Sequence, residues 1–170
     1  MSQAVVPIDS VEKQILLIRG HRVILDSDLA RMYGVATKVL LQSVKRNRSR
    51  FPADFMFQLT KGELVNLRSQ IVTSRDSYGG RRFLPFVFTE EGVAMLSGVL
   101  RSNRAIRVNI AIMRAFVRLR EITSAHKEFA LKLRELEQRI GTHDGHLRTI
   151  FEALRQLMQP PQKPGRKIGF

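Results

Sequence analysis

Apolar positions along this chain follow two periods, and each change of period marks an element. From Gln14 to Leu25 two short β-branched-rich runs flank Gly20, which predicts a β-hairpin. Leu29, Ala30 and Tyr33 then take helical spacing over residues 28–33. Asp26 or Ser27 would supply the N-cap oxygen, Asp28 suits the helix dipole, and Gly34 is the stop. Thr37 is expected to cap a second helix running to about Arg48, ended by Phe51 and Pro52.

Phe55 to Leu59 reads as a strand leading into Thr60 and Glu63, a capping box that opens a helix through about Arg68. A polar loop follows from Thr73 to Arg82. The pattern then recurs: Phe86 to Phe88 is strand-like, and Thr89, Glu90 and Glu91 open a helix to about Leu100. Two strand-then-helix units of like composition suggest that their strands pair. Phe51, Phe55, Phe57, Phe83, Phe86 and Phe88 fall in this stretch and are expected to form most of the core.

Ser102 is placed to cap a last, very long helix. From Ala105 a 4-3 apolar spacing runs through Val108, Ile112, Ala115, Leu119, Ile122, His126, Phe129, Leu133, Leu136, Ile140, His143, Leu147, Ile150, Leu154 and Leu157, and only the two histidines break it. That repeat predicts a coiled coil. Unbroken from 105 to 157, it would be about 80 Å long. Gly141 and Gly145 each cost roughly 1 kcal/mol in a helix, so a kink or hairpin at 141–145 is the alternative. The expected organisation is a flexible N-terminus (1–8), an α+β domain with a helix-turn-helix and a short hairpin or sheet (9–102), the long helix (103–158) and a basic tail (159–170).

Composition sharpens the picture. Lys and Arg number 29 against 15 Asp and Glu, a formal charge of +14, and there is no cysteine. Disulfide scaffolds, thiolate metal sites and cysteine nucleophiles are thereby excluded. No apolar run approaches the roughly 18 residues of a membrane span. The first residues lack a basic n-region and meet an acid at Asp9, so no secretory signal is expected. The cations cluster. Lys38, Lys45, Arg46, Arg48 and Arg50 lie in an acid-free stretch, and six arginines fall between 101 and 120, again without an acid. Solubility alone requires no such exclusion of acids, so a polyanionic partner is the leading expectation.

Residues 26–44 have the grammar of a helix-turn-helix. Ala30 is small where two helices cross, and Gly34 supplies a turn with positive φ. Leu29, Val35, Leu40, Leu41 and Val44 would form the seam. At 100° per residue this turns Lys38, Gln42, Lys45 and Arg46 outward, with Val39 at the edge. Gln pairs with an adenine edge, Arg with guanine, and a small apolar side chain with a thymine methyl. Lys38, Arg48 and Arg50 are expected on phosphates, and Arg81 and Arg82, after the Gly79–Gly80 pair, either on the backbone as part of a wing or in a solvated surface loop. The alternative is a two-helix core element whose exposed face is merely basic.

Seven stretches are more specific: Ile18 to Gly20, Leu25 to Ala30, Tyr33 to Val35, Val44 to Asn47, Arg50 to Thr60, Gly79 to Arg82 and Phe88 to Ser97. In this order, across about residues 9 to 122, they resemble the KilA-N-type DNA-binding domain, and most closely its phage "open reading frame six, N-terminal" family. The resemblance implies a bacterial or phage protein, often carried on prophages, that binds DNA and has no known enzymatic activity. It assigns no DNA contacts position by position.

A parallel pair of long helices would set Lys132 against Glu137 and Arg139 against Asp144, which favours a homodimer through Ile122, Phe129, Leu133, Leu136, Ile140, Leu147, Ile150, Leu154 and Leu157. Ala125, Ala130 and Ala153 leave a tetramer open. His126 and His143 are read as polar seam residues rather than metal ligands. The Arg104, Arg107, Arg114 and Arg118 stripe is either a second phosphate surface or a solvated helix face. No catalytic constellation or cofactor motif stands out. The expectation is a cytoplasmic, nucleoid-associated binder of double-stranded DNA, a transcriptional regulator or antirepressor. The alternative is an adaptor that captures another protein through its coiled coil and its tail, Lys167 to Phe170.

Overall fold

The computed structural model describes residues 6–70, 83–140 and 145–158, without the side chain of Ile140. Two compact units divide the chain, residues 1–120 and 121–170. The first is built from α1 (Ile8–Glu12), β1 (Leu16–Ile18), β2 (His21–Leu25), α2 (Asp26–Tyr33), α3 (Thr37–Arg46), β3 (Met56–Gln58), α4 (Lys61–Gln70), β4 (Phe86–Thr89), α5 (Glu90–Val99) and the first part of α6 (Asn103–Ile140). This is an α+β fold.

The four strands form one antiparallel sheet in the order β1-β2-β4-β3. The expected hairpin is there, with Leu16 opposite Val23. So is the expected pairing of the two phenylalanine-rich strands, with Met56 opposite Phe88 and Gln58 opposite Phe86. Period-two alternation sends their side chains to two faces. Ile24 and Phe88 join the main core, whereas Val23, Leu25 and Val87 meet Leu59 and Leu67 of α4 on the other side.

Helix starts follow local chemistry in some places and not in others. The capping box is complete: the Glu63 N–H donates to Thr60 Oγ1 at 3.2 Å, and the Thr60 N–H donates to Glu63 Oε2 at 2.8 Å. Thr89 Oγ1 accepts from the Gly92 N–H, and Ser102 Oγ from the Ala105 N–H. Gly92 lies so close to the Phe55 carbonyl that any Cβ would overlap its oxygen. At α2 and α3 the expected caps are absent. Leu25 and Ala36 are the N-caps, without a side-chain bond, and Asp26 and Thr37 are already helical.

The core is less aromatic than its sequence suggests. Phe51 and Phe88 are buried and meet edge to face, but Phe55, Phe57 and Phe86 are only partly covered and Phe83 is exposed. Mostly aliphatic side chains take their place, many of them from α6, which adds one aromatic ring, Phe116. Ala105, Val108, Ala111, Ile112, Ala115 and Phe116 are buried in the main core. A domain boundary was expected before residue 103; the packing runs on through Phe116.

In the second unit, α6 is described to Ile140 and α7 over Gly145–Met158, and residues 141–144 lie outside the described residues. Arg155 Nη2 donates to Glu137 Oε2 at 2.6 Å. Eighteen residues of unbroken helix would hold these positions about 27 Å apart, so α7 turns back beside α6, the hairpin alternative. Glu137 therefore has a partner in its own chain, and Lys132 pairs with Glu128 instead. Asp144 and His143 lie outside the described residues.

One acid registers the packing of the first unit. Arg19, at the hairpin turn, donates to both carboxylate oxygens of Glu63. That bond, with the Thr60 N–H, lowers the Glu63 carboxyl from 4.5 to about 2. A lowered folded-state value stabilises above the unfolded one and loses its effect as pH falls through the folded one. Glu63→Gln should lower the urea midpoint above pH 4.5, and the gap to the wild type should close as pH falls from there toward 2.

Candidate nucleic-acid interface

The candidate face is positioned by the way α2 ends. Gly34 takes φ +72°, in the left-handed region. The Val35 N–H donates to the Ala30 carbonyl at 2.9 Å and the Gly34 N–H to that of Arg31 at 3.2 Å, a Schellman pair. A third carbonyl, that of Met32, accepts from Arg104 Nε of α6 at 3.0 Å. A guanidinium at a helix C-terminus complements the dipole as well as the open carbonyl. A Cβ on Gly34 would approach Arg104 Nε to 2.9 Å. Next to this junction the buried Tyr33 hydroxyl donates to Asn109 Oδ1, and burial pushes its phenol pKa upward.

Gly34, Val35 and Ala36 turn the chain into α3. Leu40 and Val44 enter the core, and Val35 and Leu41 are half-buried against it. Lys38, Gln42, Lys45 and Arg46 are all exposed, as the helical spacing predicts, and α3 carries no acid. Among the described residues, Lys38, Lys45 and Arg46 form no ion pair. Lys45 and Arg46 stand in the last turn, where the dipole favours cations.

This face has two flanks. Lys38, Gln42 and Lys45 line an open groove of about 710 Å³ together with Thr37, Leu41, Gln58, the buried Asp26 and the segment Phe83 to Phe86. Arg46 and Val39 turn away from it. The far wall is pinned at three points. Gln58 Nε2 donates to the Leu84 carbonyl, the Leu59 N–H to that of Pro85, and the Phe86 N–H to Asp26 Oδ2, each at 3.0 Å. This bond is what Asp26 does in place of the expected cap.

Arg48 and Arg50 follow α3 in a short 3-10 turn (Arg48–Arg50) and are exposed. Arg48 Nη1 lies 3.9 Å from Met56 Sδ. Arg81 and Arg82 lie outside the described residues; their neighbour Phe83 is in the groove. The arginine stripe on α6 is partly committed elsewhere. Arg104 caps α2, and Arg118 bonds Asp9 at 2.8 Å and approaches Glu12 at 3.3 Å, while Arg107 and Arg114 are exposed. The roles of Arg104, Asp26 and Phe83 had no local signal, since each depends on contacts far along the chain.

Of the expected dimerisation residues, only Leu133 is buried within its unit, at 8% exposure. Ile122, Phe129, Leu136, Leu147, Ile150, Leu154 and Leu157 are exposed. Nothing is described of the Ile140 side chain. Among the described residues no helix is long and apolar enough to cross a membrane, and no group of three metal-ligating side chains comes together.

The first unit is thus a small α+β domain that presents an acid-free helix face beside a groove. The ORF6N domain model matches residues 13–99, just over half of the chain, and the chain belongs to that phage family. No curated protein and no solved structure matches it.

The junction makes a measurable demand. Gly34→Ala should cost about 1–2 kcal/mol from the left-handed backbone alone, and more where the Cβ meets Arg104. In urea unfolding, the substitution should therefore cost less in an Arg104→Ala background than in the wild type.

Proposed function

We propose that this chain is a sequence-preferring double-stranded DNA-binding protein, a phage-type transcriptional regulator or antirepressor, with α2, the Gly34 turn and α3 as a helix-turn-helix. The observation that carries this reading is the outward face of α3, with Lys38, Gln42, Lys45 and Arg46 exposed together and no acid among them. A helix about 10–12 Å across fits the roughly 12 Å major groove. Gln42 and Arg46, farthest from the core, read base edges. Lys38, Lys45, Arg48 and Arg50 hold phosphates, with Arg81 and Arg82 on the adjoining backbone. Its place of action is the nucleoid.

Binding should fall steeply with salt. Lys38→Gln and Lys45→Gln should each lower the slope of log K against log salt by about 1. Gln42→Ala with Arg46→Ala should erase sequence preference and leave folding intact; unchanged selectivity would remove both residues from the site.

Two copies pair through the second unit in this reading, presenting two reading helices to a pseudo-palindromic site. Its support is the row of exposed apolar residues, including Phe129 and Leu136, which a solitary hairpin leaves in water. Sedimentation equilibrium should find a dimer that Phe129→Asp with Leu136→Asp separates into monomers. The same exposed residues favour a second reading, an adaptor that holds another protein; a monomeric wild type would favour it over pairing.

A further inference from the structure

We propose that Phe83 is a specificity-determining contact that receives a thymine methyl group of the duplex lying on α3. The inference rests on the DNA-reading role of α3 and adds a residue from outside that helix. Phe83 is 78% exposed, while Pro85, Val87 and Phe88 just after it are buried. The next three residues are fixed by the bonds from Gln58 and Leu59 and by the bond to Asp26, so Phe83 adjoins an anchored segment.

That ring shares the groove with Lys38, Gln42 and Lys45. The lysines would hold phosphates along this flank, which brings the duplex against the aromatic side chain. A second copy of the chain is disfavoured here, because its own Lys38 and Lys45 would meet these two. Among the base edges of the major groove, the thymine C5-methyl is the apolar feature, and it lies across the pair from the adenine edge that a glutamine recognises. Gln42 and Phe83 on one groove therefore suit an A·T-containing step, the amide taking adenine and the ring taking the methyl. Val39, on the opposite flank of α3, is not placed to share this contact.

The test replaces thymine with deoxyuridine, which removes only the methyl group. A duplex selected from random DNA by the full-length protein is resynthesised with each thymine exchanged in turn. Wild-type binding should weaken about fourfold at one or two positions, the effect of one buried methyl. Phe83→Ala should bind the parent duplex about fourfold more weakly, ignore the exchange at those positions and keep the wild-type salt slope. Phe83→Leu should restore the sensitivity. The assignment is overturned if the wild type is indifferent to every exchange, or if Phe83→Ala keeps the penalty at the same positions. Selective binding that persists in those cases leaves the DNA reading standing, whereas a wild type that binds no duplex overturns both.

Discussion

The orientation of α3 depends on the end of α2. A helix leaves its last carbonyls without partners, and here three of them are satisfied. Val35 and Gly34 supply two N–H groups because Gly34 adopts a backbone that other residues resist, and Arg104 supplies the third donor from α6. The Tyr33–Asn109 bond adds a buried tie between the same two helices. A turn held from inside and outside leaves α3 one direction in which to leave. That direction puts Leu40 and Val44 in the core and the basic residues in water.

Features of this fold written in neighbouring residues were legible in the sequence, and those set by distant contacts were not. Thr60 and Glu63 specify a helix start wherever they fall, and the outward face of α3 follows from the seam. The first part of α6 shows the opposite case. A 4-3 apolar repeat describes a helix on a sheet as well as it describes a coiled coil. Val108, Ile112 and Ala115 belong to the domain core, although they read as the opening of a seam. The return of α7 beside α6 was visible only as an alternative, because a glycine costs a helix little enough for packing to override. Phe83 gave no sign of its side. A phenylalanine-rich stretch predicts burial in general, and Phe83 falls before β4, where no strand alternation assigns it a face.

Charge clusters divide in the same way. Along α6, Arg104, Arg118 and Arg120 have partners within the first unit, on Met32, Asp9 and Glu90. The groups that receive them lie elsewhere in the chain, so an acid-free run in the sequence is not an unpaired surface in space. On α3 the run of cations does coincide with an open face, since Lys38, Lys45 and Arg46 find no ion pair among the described residues. The basic character of this domain is therefore part scaffold and part surface, and α3 contributes three cations to the surface part.

Asp26 has a wider consequence than its own bond. It opens α2, and its carboxylate also holds the main chain at Phe86. One bank of the cleft is therefore tethered to the start of the helix that leads into the other. The two banks are thus tied through one carboxylate, and a change that shifts the start of α2 is passed on to the main chain at Phe86.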